Sequence, residues 1–236
     1  MDYLNNEYIN KIIQFLYKIK KTYDKYLLDL IDINSLLDKV KEEYSLIQND
    51  NKIDDFYKYI LNLNIKGDLS SFLKNDPSII SKEEVIFLSP CFFAIFAYRI
   101  AHFFYIRKKY FIAKVISEHI HFLTSIDINP GDIIGDNFFI DHCVGIVIGE
   151  TSIIGNNVKM YHGVTLGASS FFKGKRHPTI KDNVTLYANC SVFGGNTVVG
   201  ENSIIGTGVI INKSIEPNTI IKIKNNYLCE KKHMDK

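Results

Sequence analysis

DINPGDIIGDNFFIDHCVGIVIGETSIIGNNVKMYHGVTLGASSFFKGKRHP, residues 127–178, decides the fold. Ile134-Gly135 and Ile140 stand six apart. After a two-residue phase slip near Val144-Gly145, Ile148-Gly149, Ile154-Gly155, Met160 and Leu166-Gly167 are again six apart. Beyond the stretch the pattern resumes at Ile180, Leu186 and Val192, slips by one, and continues at Val199-Gly200, Ile205-Gly206 and Ile211. A six-residue period with small residues at the turns predicts a parallel β-helix of hexapeptides, each aliphatic pointing into the coil. The period-two alternation of an antiparallel sheet is absent from this run. Ala168 to Pro178 breaks the period with Ser, Lys and Gly, which predicts a loop leaving the coil, where binding groups are commonly mounted.

Upstream the period changes to that of helices. Leu4, Tyr8, Ile12, Phe15, Leu16, Ile19 and Tyr23 share a helix face. Ser35 and Asp38 resemble a capping box before Val40, Tyr44 and Ile47, and Asp54 to Asn62 is a third amphipathic stretch. Asn75-Asp76-Pro77 marks a loop. Ser81 with Glu84 is another capping box, and a long helix is expected from about Phe92 to Phe122, with Tyr98, His102, Tyr105 and Ile106 on one side. The expected architecture is α+β: a helical domain over 1–122, a β-helix over 123–221 with an excursion loop at 168–178, and a basic C-terminal tail over 222–236.

Composition narrows the function. Net charge is +2, too small to mark nucleic acid or an anionic membrane as the main partner. The apolar run Val85 to Tyr105 contains Pro90, Arg99 and His102, so it reads as a buried helix and not a membrane span. MDYLNNEY carries no secretory signal, and Cys91, Cys143, Cys190 and Cys229 form no CxxC; free thiols in a cytoplasmic protein are expected, without zinc.

Three polar features exceed what the scaffold needs: Asp127, Asp141-His142, and Lys175-Arg176-His177 at the end of the loop. Three hexapeptides make a coil of about eighteen residues, so Asp127 and His142 fall on adjacent coils, spaced roughly 4.8 Å. A carboxylate–imidazole hydrogen bond is feasible there and would make His142 a general base; the plainer alternative is a turn histidine bonding backbone. His177 lies nearly two coils from His142, so the two need not meet in one chain, whereas in a trimer the loop could carry Arg176 and His177 to a neighbour. Arg176 suits a carboxylate; the alternative is a solvated basic loop. His162 opens a carbonic-anhydrase-like zinc reading, but the histidine spacings give no obvious ligand set. Arg99 and His102 read as structural, His119 and His121 carry no distinctive geometry, and His233 belongs to the tail.

At these residues the chain resembles the serine O-acetyltransferase family. The matching elements are Asp76-Pro77, AYRIAH (97–102), Asp127-Ile128 with Pro130, FFIDH (138–142), GIVIGET (145–151), GVTLG (163–167) and GKRHPTI (174–180). The resemblance covers roughly 76–215 and implies a left-handed parallel β-helix after a helical domain, assembled as homotrimers or hexamers. It implies acetyl transfer from acetyl-CoA to L-serine for cysteine biosynthesis, with acetyl-CoA as co-substrate and no other cofactor or metal. His142 takes the place of the catalytic base, Asp127 of its orienting carboxylate, and Asp76, Asp141, Arg176 and His177 of the serine-binding residues. Acetyl-CoA and the oxyanion fall to Gly167, Ala168, Ala188 and Gly206. The chain departs from the pattern at Ala168 and Tyr187, where the family has glycine, and lacks the closing GVPA. Its end, His233-Met234-Asp235-Lys236, lacks the isoleucine that inserts into cysteine synthase, so that partner is not favoured. Two other readings remain: a hexapeptide acetyltransferase with another acceptor such as a sugar, and a scaffold that binds serine or cysteine without turnover.

Overall fold

Side chains alternate along a strand, so an inward aliphatic brings the residue two places before it inward as well. Both columns are buried: Ile134, Ile140, Ile148, Ile154, Met160 and Leu166 in one, Phe138, Ile146, Val158 and Val164 in the other, and the pattern continues through Val184, Leu186, Cys190 and Val192. The computed structural model describes residues 59 and 62–224, and residues 228–233 by backbone alone. The helices expected before residue 59 lie outside the described residues.

The coil has three parallel faces. The first stacks β1 (Asp127–Ile128), β4 (Val147–Ile148), β7 (Thr165–Gly167), β10 (Ser191–Phe193) and β13 (Ile210–Ile211). The second stacks β2 (Ile133–Ile134), β5 (Ile153–Ile154), β8 (Thr179–Ile180) and β11 (Val198–Val199). The third stacks β3 (Phe139–Asp141), β6 (Lys159–Tyr161), β9 (Thr185–Leu186), β12 (Ile204–Ile205) and β14 (Thr219–Lys224). The expected basic tail begins within β14, which turns back into β15 (Leu228–His233), an antiparallel partner pairing Thr219 with His233.

Register locates the phase slips. Phe139 pairs with Lys159, a step of 20, whereas Val147 pairs with Thr165, a step of 18. The two extra residues therefore lie between Asp141 and Val147, at His142-Cys143, whose φ values of 57° and 34° are both left-handed. Ile153 pairs with Thr179, a step of 26, so the excursion adds eight residues to an 18-residue coil.

One corner was not foreseen. Between the second and third faces Asn137, Asn157, Asn183, Asn202 and Asn218 all have φ of 56–60°, a conformation asparagine tolerates better than most residues. Their side chains form a ladder, each amide donating to the next Oδ1 at 2.9–3.2 Å.

Before the coil run α1 (Ile65–Asn75), α2 (Lys82–Leu88), α3 (Pro90–Ile106) and α4 (Tyr110–Thr124). No periodicity pointed to α1; Asn64 caps it, accepting from the Gly67 amide at 2.9 Å. Ser81 caps α2 as expected (3.3 Å), but Glu84 reaches back to the Ile80 amide (2.8 Å). Ser89 then caps α3 (3.1 Å) with Pro90 in its first turn, and the two axes meet at 71°. The single helix expected over 92–122 is two helices. The chain breaks at Arg107-Lys108-Lys109, where Lys108 is left-handed (φ 61°) and the Lys109 amide closes on the Phe104 carbonyl at 3.0 Å. The break lets α4 fold back against α3. Among the described residues no single helix is long and apolar enough to cross a membrane.

Arg99 docks the helices on the coil. Its guanidinium meets Asp68 of α1 at 3.2 Å and the Ile134 and Gly135 carbonyls at 2.5 and 2.6 Å, while Asp68 also accepts from the Phe138 amide at 3.0 Å. The Tyr98 hydroxyl donates to the Asp132 carbonyl (2.7 Å) and His102 Nδ1 to that of Pro130 (2.9 Å). Arg99 and His102 are structural, as the sequence suggested.

Candidate active site

Two corners flank the first face, and the predicted site residues divide between them. The histidine corner, between the third and first faces, is built by the two-residue insertion. Asp141 ends β3 and lies over Tyr161 in register. His142 projects from the bulge with 72% of its side chain exposed, its Nε2 3.6 Å from Asp141 Oδ2. Its ring meets His162, from the coil beneath, edge to face at 5.7 Å between centroids. Buried Nδ1 of His162 has no hydrogen-bond partner among the described residues. One coil further on, the His162 carbonyl accepts from Asn189 beside Ala188, and the Ala188 carbonyl accepts from Gly208, two residues after Gly206. Tyr161 and Tyr187 stack at 5.0 Å alongside.

A cleft of roughly 530 Å³ opens between this corner and the helices. Asp76, Asp141, His142, Cys91 and Cys143 line it. Asp76 is held by the Ser78 amide (2.9 Å) and hydroxyl (2.6 Å). Asp127 begins β1, directly over Val147. The direct Asp127–His142 hydrogen bond that the coil count made feasible is not formed in this chain; Asp141 is the carboxylate next to the ring. This coil has 20 residues where eighteen were counted, and His142 lies within the insertion, largely exposed.

The loop corner, between the first and second faces, carries the other residues. Leu166 lies under Ile148, so Gly167 and Ala168 sit below Gly149, and the excursion returns to the same corner at Lys175-Arg176-His177. Thr151 organises it. Its Oγ1 accepts from the Arg176 and His177 amides, both at 3.0 Å, and lies 3.0 Å from His177 Nδ1, which the Thr151 amide also approaches at 3.2 Å. Lys175 Nζ donates to the carbonyls of Thr151 (2.8 Å), His177 (2.5 Å) and Pro178 (3.0 Å). Arg176 pairs with Glu150 at 2.7 Å, and Glu150 accepts from the Tyr105 hydroxyl at 3.0 Å. Burial works to raise Glu150, but the Tyr105 hydroxyl and Arg176 outweigh it and hold the carboxyl below its usual range. Burial, with Arg176 beside it, pushes His177 below its usual 6.5.

Asp76, Asp141, His142, Ala188 and Gly206 thus belong to the histidine side, and Gly167, Ala168, Arg176 and His177 to the loop corner. Glu150 and Thr151 were missed as functional groups, and Lys175 was singled out with Arg176 and His177 but given no role of its own. Their signal was the Glu150-Thr151 pair directly after Ile148-Gly149, at a turn where the coil needs only small residues. Among the described residues no group of three or more His, Cys, Asp or Glu could hold a metal ion.

No protein-family model matches the chain. Serine acetyltransferase of Bacillus subtilis is 51% identical over 122 residues, which are 52% of this chain and 56% of that protein. Serine acetyltransferase of Helicobacter pylori (strain 26695) is 47% identical over 126 residues, 53% of this chain and 74% of that protein. The match therefore spans little more than half of the Bacillus protein. Among solved structures, serine acetyltransferase isoform 3 of Entamoeba histolytica, in complex with cysteine, superposes with a TM-score of 0.74 at 32% identity, covering 89% of this chain and 81% of that one. With that likeness in sequence and fold, the chain belongs to the serine acetyltransferase family.

Proposed function

We propose that the chain transfers the acetyl group of acetyl-CoA to the hydroxyl of L-serine, giving O-acetylserine for cysteine biosynthesis. The observation that carries this reading is the cleft that Asp76 and Asp141 line together with the exposed imidazole of His142, Asp141 lying 3.6 Å from the ring. Two carboxylates beside a general base fit an acceptor with an ammonium group next to its hydroxyl; a neutral sugar needs no such charges.

Serine's ammonium group meets Asp76 and Asp141, and its carboxylate meets Arg176. His142 takes the hydroxyl proton as the oxygen attacks the thioester carbonyl, with Asp141, 3.6 Å from its Nε2, as the carboxylate beside the charged ring. Backbone N–H groups near Gly167-Ala168 face the tetrahedral oxyanion. When it collapses, the C–S bond breaks and coenzyme A leaves as a thiolate, which the His142 imidazolium protonates. Ala188 and Gly206, in the coils below His162, border the path of the coenzyme A arm.

The two groups of residues occupy different corners of one coil, so we assign the complete site to a homotrimer, alone or paired as a hexamer. A heterologous cyclic contact sets the loop corner of one subunit against the histidine corner of the next. Purified protein with acetyl-CoA and L-serine is expected to release coenzyme A, and His142→Ala is expected to abolish most of it. Release that does not depend on serine, or that follows a sugar instead, contradicts the reading.

A further inference from the structure

The hydrogen bonds at the loop corner balance in only one way. A backbone N–H can only donate, so the Thr151 amide at 3.2 Å makes His177 Nδ1 an acceptor, without a proton. The Thr151 hydroxyl has one hydrogen and two lone pairs. The amides of Arg176 and His177 occupy the lone pairs, so its hydrogen points at Nδ1, 3.0 Å away. The ring proton then resides on Nε2. Lys175 closes the loop beneath, giving its three N–H bonds to the carbonyls of Thr151, His177 and Pro178. The opposite edge of the ring rests on Gly149, where a Cβ would come within 2.1 Å of Nε2. His177 is 7% exposed, and no described residue bonds its Nε2.

We infer that Thr151 and Lys175 are positioning residues that hold Arg176 beside His177 and fix His177 as the neutral Nε2–H tautomer, a hydrogen-bond donor and not a base. Protonating Nδ1 would break two bonds and bury a cation beside Arg176 and Lys175, with Glu150 the opposing charge, in keeping with the lowered pKa of the ring. On the function proposed above, the two histidines of the site divide the work. His142 accepts the hydroxyl proton, while His177 donates from Nε2 to a lone pair of serine and itself stays neutral.

The test has two arms. NMR of the imidazole nitrogens in the full-length protein without substrates, with His177 assigned by its loss in His177→Asn, reads the tautomer directly. The expected spectrum shows Nε2 protonated, Nδ1 bare, and no titration down to about pH 6, where a free histidine is already largely charged. A protonated Nδ1, or titration near 6.5, overturns the inference. Kinetics form the second arm. Thr151→Val keeps the shape and removes the hydroxyl; it is expected to raise KM for serine about tenfold with kcat within about threefold, and to let His177 titrate. Thr151→Ser is expected to restore both, and Lys175→Met to shift KM in the same direction as valine. An unchanged KM and tautomer in Thr151→Val, or no rescue by serine, overturns the lock. The spectrum needs neither a substrate nor a variant that keeps the hydroxyl's role, so a wild-type chain that shows no serine-dependent transfer defeats the proposed function and leaves the tautomer arm standing.

Discussion

At the asparagine corner five side chains bond in a line from Asn137 to Asn218; at the histidine corner His142 stands exposed, and buried His162 Nδ1 below it has no partner among the described residues. Both corners turn the chain through left-handed residues: Asn137, Asn157, Asn183, Asn202 and Asn218 at one, His142, Cys143, Gly163, Asn189 and Gly208 at the other. The backbone task is the same, and the side chains differ. Where the step between coils is regular in conformation, an amide with a donor and an acceptor satisfies its neighbours above and below. Where two residues are inserted, the ladder is lost and a side chain is released toward the cleft. The asparagine corner is a stability element, and on the proposed function the histidine corner is the reactive one.

The largest break in this comparison is His142→Ala. Losing a general base is expected to lower kcat on the order of 10²–10⁴-fold, while the unfolding midpoint stays unchanged because the ring is 72% exposed. Urea unfolding alongside coenzyme A release measures both. Asn183→Ala makes the opposite cut. It removes two ladder hydrogen bonds and leaves alanine at φ 60°, an expected loss of about 2 kcal/mol with turnover nearly unchanged. Asn183→Gly relieves the backbone part, so it should be less destabilising than alanine by about 1 kcal/mol. Equal losses would place the whole effect in the ladder.

The smallest effect concerns pH at the loop corner. His177 is held below its usual 6.5, so the unfolded chain binds more protons than the folded one in the window beneath 6.5. Stability from the neutral ring is therefore complete above 6.5 and is lost as pH falls toward the folded value. Burial is the main cause, Arg176 and Lys175 strengthen it, and Glu150 opposes it. Wild type is expected to lose more of its midpoint between about pH 7.5 and 5.5 than His177→Gln; an equal loss points to the other depressed histidines, His102 and His119.

The sequence made the coil legible because Ile148, Ile154, Met160 and Leu166 must all point inward, and a repeated requirement leaves a period. The slip near Val144 was visible too, although only the register shows that it is the bulge presenting His142. The asparagine ladder escaped notice because turns favour asparagine for its backbone alone, so Asn137 or Asn157 carries no mark of a bond 20 residues away. The helix break at Arg107-Lys108-Lys109 was hidden by apolar residues on both sides, and three consecutive cations were its one signal. In the candidate site, Asp76, Asp141 and His142, expected to act together, line one cleft. The Asp127–His142 bond was not found; counting coils at eighteen residues left out the two inserted ones, among which His142 lies. Thr151 was invisible for a different reason: its role is to bond backbone amides of a loop that returns 25 residues later.

Sharing of the site between subunits is tested most directly by complementation. His142→Ala and His177→Ala chains, each inactive alone, are to be co-refolded in equal amounts into verified mixed trimers. A site assembled from two subunits predicts recovery of about a third of wild-type activity in those mixed trimers, because one of the three contacts in each then joins an intact His142 to an intact His177. Mixed trimers with no recovery above either parent would contradict the account.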